Sequence, residues 1–321
     1  MTSSFPHPDY VELPGLTMAV HQMGPAEGQP VVFCHGWPEL GYAWHKQMEP
    51  LAQAGYRVLA PDMRGYGHTG GPTGEGAVPL YDMEHLTGDL AHLCDALDLP
   101  PAIFVGHDWG GFVAWDMPLR HADKVAGVIG VNSAYVPRPE IDPIELIKLV
   151  HGPDMYMLHF QPYGEAEKQL GRDTDRALRF LHQRMPAMQT RAPKKRPLNM
   201  LKSMERPETD WPGAPLHEPK DHAIYVEAYE RTGWEGGLNW YRNLSRNWQQ
   251  TENLPKTINL PCLMVFAQND VVLPPSSGAE MADYIEDLET HTIPNCGHWT
   301  PTEAPDALND LMLSWLDRKF S

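Results

Sequence analysis

Short apolar runs rich in Val, Ile and Phe alternate with helix-period stretches through the first 134 residues. "PVVFCHG", "YRVLAPD", "AIFVGHD" and "VAGVIGVN" read as buried parallel strands, apolar on both faces. Leu86, Leu90, Leu93 and Leu97 fall at i, i+4, i+7 and i+11, one face of a helix. "YVELPGLTMAVHQMG" alternates around Pro14-Gly15 and predicts an antiparallel hairpin at a sheet edge. From Tyr135 to Trp248 the pattern breaks: no apolar strand is visible, and helical stretches rich in Tyr, Trp and Met dominate. The segment Pro186 to Pro219 holds seven prolines and cannot be one regular element. Lys194, Lys195 and Arg196 within it read as solvated loop. Strand-helix order returns with "CLMVFAQND" and "HTIPNCGHW", then a helix carrying Leu308, Leu311, Met312, Trp315 and Leu316. The pattern predicts an α/β fold, a mostly parallel sheet with helices on both faces. Its core is expected at 1–134 and 249–321, with 135–248 inserted as a helical cap.

Composition narrows the partners. Lys and Arg total 25 and Asp and Glu total 42 in 321 residues, a formal charge of −17. So acidic a chain argues against nucleic acid or an anionic membrane. No apolar run exceeds six residues, so neither a spanning helix nor a signal-peptide core is expected. Cys34, Cys94, Cys262 and Cys296 lack metal-ligand spacing and read as reduced thiols, which places the expected location in the cytoplasm.

The stretch "FVGHDWGGFVAW" passes from strand through a glycine turn into helix, with Gly106-His107-Asp108-Trp109-Gly110 in the G-x-S-x-G spacing of a nucleophile elbow. An aspartate stands where a serine would be expected. Asp108 could simply cap the helix, but Gly106, Gly110 and Gly111 permit the cramped turn that lifts a side chain above the sheet. Asp270 could be an ordinary Asn-Asp turn and His298 a core histidine. Yet Asp108, Asp270 and His298 run in the order nucleophile, acid, histidine, each just after a strand, where open α/β sheets gather ligands. In "FCHGWPE" the turn after a buried strand can aim the Trp37 backbone N–H beside that of Trp109, forming an oxyanion hole. His35 reads as structural. No metal and no cofactor is expected.

"HGWPE", "YRVLAPDMRGYG", "VGHDWGG", "HFQ", "LNWYRN" and "CGHW" together resemble the epoxide hydrolases of the α/β-hydrolase fold, from Val31 to Trp315. The resemblance implies that Asp108 attacks an epoxide carbon to form an ester, which a water activated by His298 and Asp270 then hydrolyses. It also implies two cap tyrosines that donate to the epoxide oxygen. Tyr241 of "LNWYRN" matches the second, and Tyr156, four residues before Phe160-Gln161, the first. Where the family continues with Pro-Gly, this chain reads Pro162-Tyr163-Gly164, which makes Tyr163 a second candidate; His159 stands where a tyrosine is common. The pocket is expected to involve Trp37, Trp109, Met155 and Tyr163, with Met157 nearby, and to take a small hydrophobic epoxide and water. Tyr225 and Tyr229 read as core packing. A haloalkane dehalogenase is the alternative enzyme, with Trp109 as one halide donor; its usual Asn after His-Gly is replaced here by Trp37. A non-catalytic receptor of the same fold is disfavoured by retention of Asp108, Asp270, His298 and both tyrosines.

Overall fold

The computed structural model describes residues 5–185 and 200–320. The cluster Lys194, Lys195 and Arg196 lies outside them.

The described residues build one eight-stranded sheet. Its first six strands in chain order are β1 (Asp9–Leu13), β2 (Leu16–Met23), β3 (Pro30–Cys34), β4 (Arg57–Pro61), β5 (Ala102–His107) and β6 (Val125–Val131); Cys262–Ala267 and Leu288–Ile293 complete it. Across the sheet the order is β1, β2, β4, β3, β5, β6, Cys262–Ala267, Leu288–Ile293. β1 and β2 form the expected edge hairpin, and β2 also runs antiparallel to β4. All other pairings in this sheet are parallel; a separate two-stranded ladder pairs Gln183–Arg184 with Ala214–Pro215 antiparallel.

Side chains alternate between faces along each strand. Val32, Cys34 and Phe104 join one apolar cluster, while Val31, Phe33, Ile103 and Val105 join the other. The first face is covered by the helices Met83–Ala96, through Leu86, Leu90 and Leu93, and Trp109–Arg120, through Val113 and Met117. Leu97 falls just past its helix and is only partly buried. Helices His45–Gln53 and Pro305–Phe320 cover the second face through Met48, Leu51, Leu308, Met312, Trp315 and Leu316, with Leu311 at the margin. Each such side chain fully removed from water contributes about 1.5–3 kcal/mol, so both layers are held by burial.

Between β6 and Cys262–Ala267 no described residue joins this sheet. Helices fill the interval, among them Tyr156–His159, Pro219–Thr232 and Glu235–Arg242. Tyr225 and Tyr229 pack inside it, Tyr225 against His182 and Tyr229 against Trp234. No helix among the described residues is long and apolar enough to cross a membrane, and all four cysteines are buried and unpaired.

β3, β5, β6 and Cys262–Ala267 lie side by side and parallel, so the loops that follow them open at one edge of the sheet. That edge is where the candidate residues meet.

Candidate active site

Asp108 sits between β5 and the helix Trp109–Arg120 with φ 50° and ψ −125°, a left-handed backbone that a non-glycine residue adopts only under constraint. Neighbouring glycines make the turn possible. A Cβ on Gly106 would lie 2.1 Å from the Gly110 carbonyl oxygen, and one on Gly110 would lie 2.0 Å from that of Cys34. Ser133 Oγ ties the turn from the next loop by donating to the Asp108 carbonyl at 2.7 Å.

The capping role does not hold, because the Asp108 side chain makes no hydrogen bond to its helix. Its Oδ1 instead accepts the Trp37 N–H at 2.9 Å, and its Oδ2 faces His298 Nε2 at 3.7 Å. Trp109 occupies the first helical position, so its own N–H has no intrahelical partner.

Asp270 both shapes its own turn and meets the histidine. Oδ1 accepts the Val272 and Leu273 N–H groups at 2.8 and 2.9 Å, making the turn. Oδ2 faces His298 Nδ1 at 2.9 Å. Burial alone would raise the Asp270 pKa, but His298, Asn132 and the Leu273 N–H hold the carboxyl well below the usual range. Burial likewise works against a charged His298, and the carboxylates of Asp270, Asp108 and Glu39 outweigh it, raising His298 to about 9.

Three participants had no clear sequence signal. Asn132, in a left-handed turn after β6, donates from Nδ2 to Asp270 Oδ2 at 2.6 Å and to the His298 carbonyl at 3.2 Å. His107 Nδ1 meets Glu39 Oε2 at 2.9 Å, and its Nε2 meets the His298 carbonyl at 2.7 Å. Glu39 also accepts the Gly36 N–H at 3.1 Å. Burial pushes its carboxyl up, but His107, His35 and that N–H together bring it down to about 2. This buried pair joins the elbow, the Trp37 loop and the His298 loop. Each residue lies inside a quoted motif, yet only folding puts them in contact. His35 is committed to structure: Nδ1 donates to the Gly36 carbonyl at 2.9 Å and Nε2 accepts the Met63 N–H at 3.0 Å.

Tyr156 and Tyr241 are buried, with ring centroids 5.9 Å apart at 74°. Burial and the nearby Asp108 charge push both phenols well up, so both are hydrogen-bond donors at neutral pH. Trp109 and Trp37 pack edge-on to Tyr241, at 5.0 and 5.6 Å between centroids. Two cavities meet at Asp108, Tyr156, Tyr241 and Val272. One, of about 300 Å³, is lined by Trp109, Phe112, Leu119 and Met157; the other, of about 800 Å³, by Trp37, Phe180, Trp211 and His298.

Two pocket expectations need correction. Tyr163 lines neither cavity: it is half-exposed, with the Arg242 guanidinium 5.2 Å from its ring centroid. Tyr163 and Gly164 lie past the helix Tyr156–His159, with Gly164 in a left-handed turn that starts the helix Glu165–Leu170. Met155, the residue before that helix, is partly buried against the apolar cluster and lines neither cavity, whereas Met157 lines the smaller one. Among the described residues, His21, Asp62 and His68 have metal-ligand spacing. Asp62 there already accepts the N–H groups of Gly41 and His68, so its carboxylate is engaged without an ion.

The chain matches the family described as alpha/beta hydrolase fold over residues 29–305. It is 36% identical to bifunctional epoxide hydrolase 2 of Sus scrofa over 95% of its length, but spans only 54% of that relative, about half. It is also 36% identical to epoxide hydrolase A of Mycobacterium tuberculosis, over 95% of this chain and 96% of that protein. Among solved structures, epoxide hydrolase A from Mycobacterium thermoresistibile superposes with a TM-score of 0.88 at 32% identity, covering 97% of this chain and 98% of that one. An epoxide hydrolase from Vigna radiata superposes with a TM-score of 0.85 at 29% identity, covering 99% of each.

Proposed function

The chain belongs to the epoxide hydrolases of the α/β-hydrolase fold, and from that premise we propose that it converts an epoxide and water to a vicinal diol through an ester on Asp108. The observation that carries this reading is one carboxylate, Asp108, held by the Trp37 N–H, faced by His298 and lying where two buried tyrosines meet. We read 135–248 as the cap that brings those tyrosines over the sheet.

In the first step an Asp108 carboxylate oxygen bonds to an epoxide carbon as the carbon–oxygen bond of the ring breaks. The departing oxygen takes one proton from one of the phenols of Tyr156 and Tyr241 while the other donates a hydrogen bond to it. In the second, His298 Nε2 removes a proton from water, whose oxygen adds to the ester carbonyl. The oxyanion is stabilised by the N–H groups of Trp37 and Trp109. Collapse releases the diol and restores the carboxylate, and the proton from water returns to the phenolate. Asp270, fixed by Asn132, keeps the imidazole aimed.

The apolar walls around Asp108, including Phe112, Leu119, Phe180 and Trp211, suit a small hydrophobic epoxide. No nucleic acid or membrane partner enters the scheme. The proposed compartment is the cytoplasm, in keeping with four unpaired buried thiols.

A single turnover in heavy-oxygen water tests the ester directly. Label is expected in the Asp108 carboxylate, with the diol unlabelled, since water attacks the ester carbonyl and not the epoxide. Labelled diol with unlabelled Asp108 would mean direct attack by water and would end the proposal.

The pH profile is a separate check. Esterification removes the Asp108 charge, one of the influences that raise His298 to about 9. The imidazole in the ester therefore binds its proton less tightly than in the free enzyme. Hydrolysis needs the neutral base, so its rate is expected to climb with pH through a pKa below 9 and then level. Single-turnover decay of the ester at stepped pH measures this. A rate that does not vary with pH would remove His298 as the base.

A further inference from the structure

We propose that Gln161 is the positioning residue that sets the distance between the two ring-opening tyrosines. The inference rests on the reading of Tyr156 and Tyr241 as donors to the epoxide oxygen.

The two phenols come from segments about eighty residues apart in the chain. Tyr156 opens a helix of only four residues, Tyr156–His159. So short a helix has little stability of its own, and its last carbonyls lack intrahelical partners. Tyr241 lies in the final turn of Glu235–Arg242. The Gln161 amide bridges them: Nε2 donates to the Met157 carbonyl at 2.8 Å and to the Tyr241 carbonyl at 3.1 Å. Both amide hydrogens are thereby used, one on the backbone beside each tyrosine.

A reciprocal contact returns from the other side. Arg242 Nη2 donates to the Pro162 carbonyl at 3.2 Å, while its Nη1 is fixed by Asn239 Oδ1 at 2.8 Å and Glu167 Oε1 at 2.6 Å. Gln161-Pro162 and Tyr241-Arg242 are thus crossed: each pair gives one side chain and receives on one carbonyl. Gln161 touches neither Asp108 nor His298, and it lines neither cavity. It therefore acts on ring opening only through the tyrosines, which must converge on one oxygen atom.

Gln161→Met, which keeps length but has no donor, tests the clamp. Single-turnover ester formation is expected to slow roughly tenfold or more, as small misplacements of catalytic groups do. Ester hydrolysis should keep its parental rate, because its machinery stands on the sheet. Combined with Tyr241→Phe, the further loss from Gln161→Met should shrink, since one of its two targets is gone. If Gln161→Met slows both steps equally and lowers Tm, its role is general stability and the proposal fails. If Tyr241→Phe slows ester formation while Gln161→Met does not, the clamp is wrong and the donor reading stands. If neither variant alters ester formation, the donor reading itself falls.

Discussion

His298→Gln is expected to arrest the protein as its own substrate ester. Asp108 keeps its Trp37 N–H contact and the cavity keeps its tyrosines, so the epoxide is still opened. Glutamine has no basic nitrogen for water, and loss of a general base costs roughly 10²–10⁴-fold. The ester should accumulate to one equivalent, seen as an intact-protein mass increase equal to that of the epoxide. Asp270 loses the imidazole, but Asn132 keeps both Asp270 and the backbone carbonyl of residue 298, so the loop around them is expected to hold. Full turnover by His298→Gln, with no adduct, would show that another group activates the water.

The double variant Tyr156→Phe/Tyr241→Phe is expected to fail at the opposite step. Each single variant retains one phenol, and losing one such donor costs on the order of 3 kcal/mol, roughly a hundredfold in ester formation. With both gone, the alkoxide would develop charge in a buried apolar site with no donor, and ring opening should become undetectable. No adduct should form, in contrast to His298→Gln. Tyr163→Phe should behave as the parent, since that ring lies by Arg242 outside the cavities. Unimpaired ring opening in the double variant, with halide released from a haloalkane, would instead favour dehalogenation.

The central strands are legible because they are buried on both faces and appear as unbroken apolar runs such as Val31–Phe33 and Ile103–Val105. Asp108, Asp270 and His298 stood out because each follows a strand, and parallel strands deliver their following loops to one edge. The cap was harder to read. Its helices carry mixed aromatic and polar residues, so periodicity does not reveal which face of a four-residue turn looks inward. That is why Met155 and Met157, two positions apart, were not separated, and why Tyr163 competed with Tyr156. Asn132 and the Glu39–His107 pair escaped for another reason. A buried polar contact such as His107 with Glu39 joins positions 68 residues apart, and neither leaves a local trace.

Tyr156 and Tyr241 lie between β6 and Cys262–Ala267, whereas Asp108, Asp270 and His298 all follow strands of the sheet. On the proposed mechanism, ring opening and ester hydrolysis therefore draw on different stretches of polypeptide. Substitutions within 135–248 are then expected to alter which ring is admitted and opened, and to leave in place Asn132, Ser133 and the groups that would recycle the ester. A lineage can therefore acquire new substrates by drift in one continuous insert. Grafting that insert from a relative is expected to bring in the relative's choice of epoxide without rebuilding the host's hydrolytic step.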